Sequence, residues 1–510
     1  MTIISITPDF ALDYGYTYAG GLGVLEGDKF YTASRLGLNY IVLTLFYRKG
    51  YVDYEFKNGE LIIKPQKHHK EFYEMLKPGE EFSIRLRNEE VIVRPWTYSY
   101  GSAKAVFFEA VCPMWARKLT DRIYIEDNLE EKFYKYSFLA KASAYYIEHY
   151  IGVDNIDYID LQEAYTALLT LILPVNSKYR IVIHTPGPWG HPTFPKEYIE
   201  KEFGWTLTSP QVVLTEIGLT QAKEAFVVSQ KQLDVIKSVF PHHAGKIKYV
   251  TNGVDVERWT HPEVKKVLGK SDLDALWRAH LRVKNELFKL LRNYKDIVYH
   301  EEKMIISWAR RVTRYKRPYF IAKLIEEAQD KLDAIIVLAG KPHPHDQEGL
   351  GTFKWFKKLH DAYENVVLVH DYDVMKAKLI LAGSDLLLFT PFSGWEACGT
   401  SYMKAGINGV PTLSSRDGGA LELIEDGVNG WLFGEDIREF INIYTDPRAR
   451  EIDEQEYREF KEKLREIVKQ YYNAREQYKK IMYNALKTFR EKADIANTLK
   501  EYYKTIIEQR

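Results

Sequence analysis

Short apolar runs separated by longer amphipathic stretches recur along the whole chain, and that alternation admits few architectures. A run of five or six apolar residues suits a strand buried on both faces, and the stretch that follows suits a helix crossing back over the sheet. TIISIT, NYIVLTLFY, IDYIDL, YRIVIH, EAFVVS and KIKYVT predict the strands of a first half, and MIISWA, AIIVLAG, VVLVHD, DLLLFT and VPTLSS those of a second. The fold class expected is therefore α/β, with two doubly wound, Rossmann-like domains facing a cleft. GYVDYEFKNGELIIKP and FSIRLRNEEVIVRPW alternate residue by residue around Asn-Gly and Asn-Glu-Glu turns, which adds antiparallel hairpins to the N-terminal domain. The expected division is a first domain over residues 1–265, a charged helical linker over 266–297, a second domain over 298–475, and a C-terminal helix over 476–510 that crosses back to the first.

Composition narrows the functions open to such a chain. It has 510 residues, 45% of them hydrophobic, enough for several closed cores. Lysine plus arginine number 71, as do aspartate plus glutamate, so no global field favours nucleic acid or acidic lipid, and any phosphate must be bound locally. MTIISITPDF has no basic leader ahead of its apolar residues, and no apolar run is long enough for a membrane span. Two cysteines, Cys112 and Cys398, far apart in sequence, fit a reduced compartment. A cytoplasmic location with neither nucleic-acid nor membrane partners is expected, association of identical chains stays open, and abundant charge with few methionines hints at a hot-growing source.

Candidate site residues cluster just after predicted strands, where doubly wound sheets bind ligands. YAGGLGVLEGD follows the first strand and opens a helix, and its glycines suit either a plain turn or a close approach to an anion at the helix start. Arg310, Arg311, Lys316 and Arg317 follow MIIS within eight residues and suit a phosphate clamp, since basic side chains at a helix start otherwise oppose its dipole. GWEACGTSYMKAGINGVP places Lys404 one turn beyond Thr400 on the same helical face, with Glu396 just upstream. By spacing alone Lys404 reads as a solvated helix lysine; if desolvated, its amine would react with an aldehyde. His184 in VIHTPGPWGHPTFP suits a sugar hydroxyl or a structural role equally, and Asn252 in VTNGVDVERW is placed similarly, although its Asn-Gly reads more readily as a tight turn. HDYDV lacks the ligand clustering of a metal site, so no metal is expected.

Taken together these motifs resemble the α-glucan phosphorylase family, retaining enzymes of the glycosyltransferase B fold that depend on pyridoxal 5'-phosphate. WEACGTSYMKAGINGV is similar to that family's signature E-A-[SC]-G-T-x-x-M-K-x-x-x-N-G, and the resemblance runs from residue 19 to about 433 through AGGLGVLEGDKFYTASRLGLNYIVLTLFYRKGY, HTPGPWGHPTFP, TNGVDVERW, RRVTRYKR and HDYDV. It implies that Lys404 carries the cofactor, with Tyr372, Thr400 and Gly399 beside it. It also implies that Arg310, Arg311 and Lys316 bind phosphate groups, and that His184 and Glu396 act with them at the glucosyl unit. Gly20, Gly21, Leu22, Asn252, Ala397 and Cys398 would contact substrate. The implied reaction converts an α-1,4-glucan (glycogen or maltodextrin) and inorganic phosphate to glucose 1-phosphate.

Two stretches depart from the family pattern. QEAY (162–165) stands where many members have N-E-G-H, and SSRDGGALELIEDGVNGWLFG reads more like the nucleotide-sugar glycosyltransferases of the same fold, in which a Gly-Gly and a downstream Glu face the donor. A retaining glucosyltransferase that uses a sugar nucleotide and no pyridoxal phosphate is therefore the alternative expectation.

Overall fold

The structure, a computed structural model, describes residues 2–298, 300–328 and 332–508. One sheet occupies the first half. Its parallel strands lie in the spatial order Ile247–Tyr249, Glu224–Val227, Tyr179–Ile183, Ile156–Gln162, Thr2–Ile6, Asn39–Leu45 and Ala103–Cys112. Glu89–Tyr100, Lys77–Pro78 and Phe82–Leu86 extend it antiparallel. Thr2–Ile6 thus begins mid-sheet between Asn39–Leu45 and Ile156–Gln162. Winding reverses there, which opens a crevice outside the carboxyl ends of these strands.

The second half repeats the plan with six parallel strands: Val366–Val369, Ala334–Ala339, Met304–Ala309, Leu386–Phe389, Thr412–Ser415 and Trp431–Phe433. Winding reverses between Met304–Ala309 and Leu386–Phe389. Every residue of Thr2–Ile6 and Met304–Ala309 is buried, as continuous apolar runs covered on both faces must be. Trp431–Phe433 is a strand that the sequence pattern does not announce, because three residues are too few to show a period.

The two antiparallel hairpins differ in their turns. Asp53–Lys57 and Glu60–Lys64 are joined by Asn58 and Gly59, both at positive φ (52° and 81°), the conformation an Asn-Gly pair tolerates. Phe82–Leu86 and Glu89–Tyr100 turn on Arg87 and Asn88, at φ 55° and 60°, and not on the Asn-Glu-Glu expected; Glu89 already pairs with Leu86.

Within the stretch expected as a linker, Asp272 caps a helix over Leu273–Leu291. That helix packs closely on the helix Val374–Gly383: a Cβ on Gly383 would stand 2.8 Å from that of Leu287. Residues 476–510 do not form one helix. Arg475–Lys492 stays with the second half, its Phe489 ring pressed on Gly406, and only Ile495–Tyr502 reaches the helix Gly21–Arg35 of the first. Val254 and Ala493–Ile495 exchange backbone hydrogen bonds of 2.8 and 2.9 Å where the chain returns. Among the described residues no helix is long and apolar enough to cross a membrane.

Asp385 joins the two strands at the second reversal. Its carboxylate accepts from Ile305 N (2.7 Å), lies 2.7 Å from Lys284 Nζ and 3.0 Å from His280 Nε2, and is completely buried. Burial alone would raise this carboxyl, but the Lys284 charge and the His280 hydrogen bond outweigh it and hold it at about 2. Asp385→Ala, which strands Lys284 without a counter-ion, should cost about 3–5 kcal/mol in chemical denaturation. A folded pKa of about 2 lies below the ordinary 3.8, so this stabilisation is full above roughly pH 4 and is lost as pH falls toward 2. The difference between wild type and variant should narrow over that window.

Candidate active site

A cavity of about 700 Å³ lies between the halves at both points of strand reversal, within the size range of small-molecule sites. Its walls include Gly20, Gly21, Leu22, His184 and Asn252 from the first half. The second half contributes Arg310, Arg311, Lys316, Tyr372, Glu396, Cys398, Gly399, Thr400 and Lys404. Of the residues singled out in the sequence, Ala397 does not line it. Ala397 is buried, and its carbonyl accepts from Ser229 Oγ at 2.5 Å, a contact that ties the halves together. Arg317 points away into the core, where it pairs with Glu456 at 2.6 Å.

The cations after Met304–Ala309 surround a carboxylate. Glu396 Oε2 accepts from Arg310 Nη2 and from Lys316 Nζ, both at 2.6 Å. The Glu396 backbone N–H is held by Asp417 Oδ2 at 2.7 Å. Arg310 lies on Phe389, 3.9 Å from the ring centroid, and its Nε and Nη1 are buried without a hydrogen-bond partner among the described residues. Among the described residues Arg311 has no carboxylate within salt-bridge distance; its Nη2 donates to Tyr315 OH at 3.5 Å. Burial, followed by the neighbouring Arg310 charge, lowers Lys316 to about 7 against the pull of Glu396. Such a set holds more donors than one carboxylate can satisfy, which suits a doubly charged anion with several oxygens.

Lys404 lies across the cavity in the short helix Ser401–Gly406. Its ammonium donates to Thr400 Oγ1 at 3.0 Å and stands 4.1 Å above the Trp259 ring. Burial brings it down to about 8, although Asp28 opposes the shift. An appreciable fraction of the amine is therefore neutral and nucleophilic near neutral pH. The Asn of the surrounding motif has a structural reason: Asn408 Nδ2 donates to Lys404 O (2.8 Å) and to Trp259 O (2.9 Å), which fixes the lysine over the indole. Gly399 is equally constrained, since a Cβ there would stand 2.4 Å from the Phe389 ring that carries Arg310.

On the opposite wall the glycine loop opens the helix Gly21–Arg35 as expected, but part of its anion-binding capacity is taken internally. Asp9 accepts from Ala19 N (3.4 Å) and lies against the amides of Gly20 and Gly23, while Gly21 and Leu22 line the cavity at the helix start. Burial raises Asp9 to about 6. His184 is half-buried and held neutral, and it shares Gln162 Oε1 (2.8 Å) with Lys29, which places its proton on Nε2. Asn252 donates to Cys398 O at 3.5 Å, while its own Oδ1 has no partner.

The structure adds wall residues that the sequence did not single out. Glu163 adopts φ 67°, a strained conformation for a glutamate, and burial raises its carboxyl to about 8. Trp259 closes the quoted motif VTNGVDVERW and Glu163 lies within the quoted QEAY, so both were near residues already singled out; Asp9 carried no comparable signal. None of the segment SSRDGGALELIEDGVNGWLFG lines the cavity. Glu422 accepts from Gln230 N (2.9 Å) and Thr251 Oγ1 (2.5 Å).

Anion binding should depend on these cations in a defined way. Sulfate, which does not titrate near neutrality, should bind more weakly as pH rises through about 7, where Lys316 loses its proton. Lys316→Arg should flatten that profile, and Arg310→Ala should weaken binding about 10- to 100-fold by isothermal titration calorimetry.

Comparison with known proteins agrees with this chemistry. Residues 357–509 match the family model described as carbohydrate phosphorylase. Maltodextrin phosphorylase of Thermococcus litoralis is 27% identical over 83% of this chain and 62% of its own length. Glycogen phosphorylase of Aquifex aeolicus is 26% identical over 85% of this chain and 76% of its own, and an uncharacterized protein of Methanocaldococcus jannaschii is 25% identical over 80% and 82%. The chain thus spans a little under two thirds of the T. litoralis relative. The lysine motif falls inside the residues that match the carbohydrate phosphorylase model, and over most of its length the chain is similar to proteins named as phosphorylases.

Proposed function

We propose that the chain is a retaining α-glucan phosphorylase of the glycosyltransferase B arrangement. It transfers a glucosyl unit from an α-1,4-glucan or maltodextrin to inorganic phosphate, giving glucose 1-phosphate, with pyridoxal 5'-phosphate as cofactor and the cytoplasm as its location. One observation carries this reading: a buried, partly neutral lysine amine, Lys404, faces the same cavity as an arginine with two unpartnered donors, Arg310. The relatives named as maltodextrin and glycogen phosphorylases support it.

The residues present fit the cofactor. Lys404 offers an amine, Trp259 and Tyr372 offer apolar ring faces, and Thr400 a hydroxyl, while the free donors of Arg310 remain for phosphate oxygens. Bound there, pyridoxal phosphate would supply a phosphate group able to share a proton with the substrate phosphate. Arg310, Arg311 and Lys316 hold the substrate phosphate, helped by the amides of Gly21 and Leu22. His184 and Asn252 hold the glucosyl unit, with Cys398 lining the wall beside them. An entering phosphate competes with Glu396 for Arg310 and Lys316, and the carboxylate so released accepts sugar hydroxyls.

The glycosidic C–O bond then breaks as the departing oxygen takes a proton from phosphate, and a phosphate oxygen bonds the anomeric carbon on the same face. Configuration is retained. The cations stabilise the phosphate charge that balances the oxocarbenium-like carbon.

Borohydride reduction of the protein incubated with pyridoxal phosphate, followed by peptide mass spectrometry, should place a pyridoxyl group on Lys404. Lys404→Ala should lose both the adduct and the release of glucose 1-phosphate. An unmodified Lys404, together with turnover of a sugar nucleotide, would reject this reading in favour of a glucosyltransferase.

A further inference from the structure

Trp189 stands where the cavity wall meets the clamp. It belongs to the Pro/Gly-rich loop after Tyr179–Ile183, lines the cavity and is half-buried. The loop is fixed from below. Tyr165 OH donates to Trp189 O at 2.9 Å, and a Cβ on Gly187 would stand 2.9 Å from the indole, while one on Gly190 would stand 2.5 Å from Thr185 Cβ. The indole is therefore presented to the cleft by a tightly determined backbone.

What it meets there comes from the other half. Its ring lies 5.5 Å from that of Tyr315 and 5.2 Å from that of Trp395, between centroids. Tyr315 sits inside the cation loop: its ring is 4.9 Å from Lys316 Nζ, and its hydroxyl accepts from Arg311 Nη2 at 3.5 Å. A line of aromatic rings thus runs from the cavity wall of the first half to two of the three clamp cations of the second. The outer cavity wall beyond it includes Tyr444, which is 50% exposed.

We propose that Trp189 is the platform of a saccharide subsite at the rim of the cavity, and that a glucan unit stacked on it steadies Arg311 and Lys316 through Tyr315. An uncharged, half-buried indole that lines the cavity suits the apolar C–H face of a pyranose ring, and its low rotational freedom keeps the ordering cost of stacking small. Trp189 is in this sense a positioning residue for phosphate as well as a contact for sugar. The proposal rests on the phosphorolytic reading above.

The test is steady-state phosphorolysis of maltoheptaose by the full chain loaded with pyridoxal phosphate, varying glucan and phosphate separately. Trp189→Ala should raise KM for both substrates, each about two- to tenfold, the size expected for losing one aromatic stack. Trp189→Phe should recover most of both. A rise in glucan KM alone overturns the coupling, and no rise in either overturns the subsite. Circular dichroism checks the fold; should Trp189→Ala be misfolded, Trp189→Leu against Trp189→Phe makes the same comparison. A wild type that releases no sugar phosphate from any maltodextrin rejects the phosphorolytic reading and this inference with it. A wild type that turns over while the Trp189 variants match it rejects this inference alone.

Discussion

The site depends on one constraint: buried charges brought together between the two halves must be balanced before any ligand arrives. Each half meets it with a carboxylate of its own. Glu396 lies between Arg310 and Lys316 at one strand reversal, and Asp9 lies against the glycine-loop amides at the other. Without them, unpaired cations and bare amides would face each other across a low-dielectric gap, an arrangement that costs several kcal/mol per ion. With them the cavity exists in the free protein, and an entering anion replaces contacts that are already shaped for oxygen.

Placement of those groups follows from topology. Both sheets reverse their winding beside the strand that opens each half, so the loops after Thr2–Ile6, Ile156–Gln162, Met304–Ala309 and Leu386–Phe389 all deliver residues to one crevice. The rest of each half fixes these four strand ends. Asp385 sets the register of the second pair from below, and the bidentate pair of Arg180 with Asp160, at 2.7 and 2.8 Å, anchors the returning C-terminal segment beside the first.

Strands buried on both faces were legible in the sequence because their apolar runs are uninterrupted, and the clamp was legible because four cations at a helix start contradict the dipole. Lys404 was legible only through its motif, since spacing alone gives a solvated lysine; Trp259 and Asn408, which create its environment, act from tertiary contact. Asp9 was not legible, and QEAY marked the place of Glu163 without its properties, because these come from burial and, for Glu163, from a backbone angle that no residue pattern encodes. Ala397 failed as a wall residue for a related reason. Adjacent to Glu396 in sequence, it faces the other way, and its carbonyl serves the contact between halves.

Asp9 at about 6, Lys316 at about 7, and Glu163 and Lys404 at about 8 line a single enclosure. Groups so poised do not confer a fixed potential. Each changes its occupancy by protons in response to a small change of field, so the enclosure behaves as a charge regulator: an arriving anion draws protons onto the wall, and its departure releases them. The wall adjusts its charge within the narrow pH interval in which phosphate itself changes valence, and the medium between the two sheets acts electrically softer than its burial alone would imply.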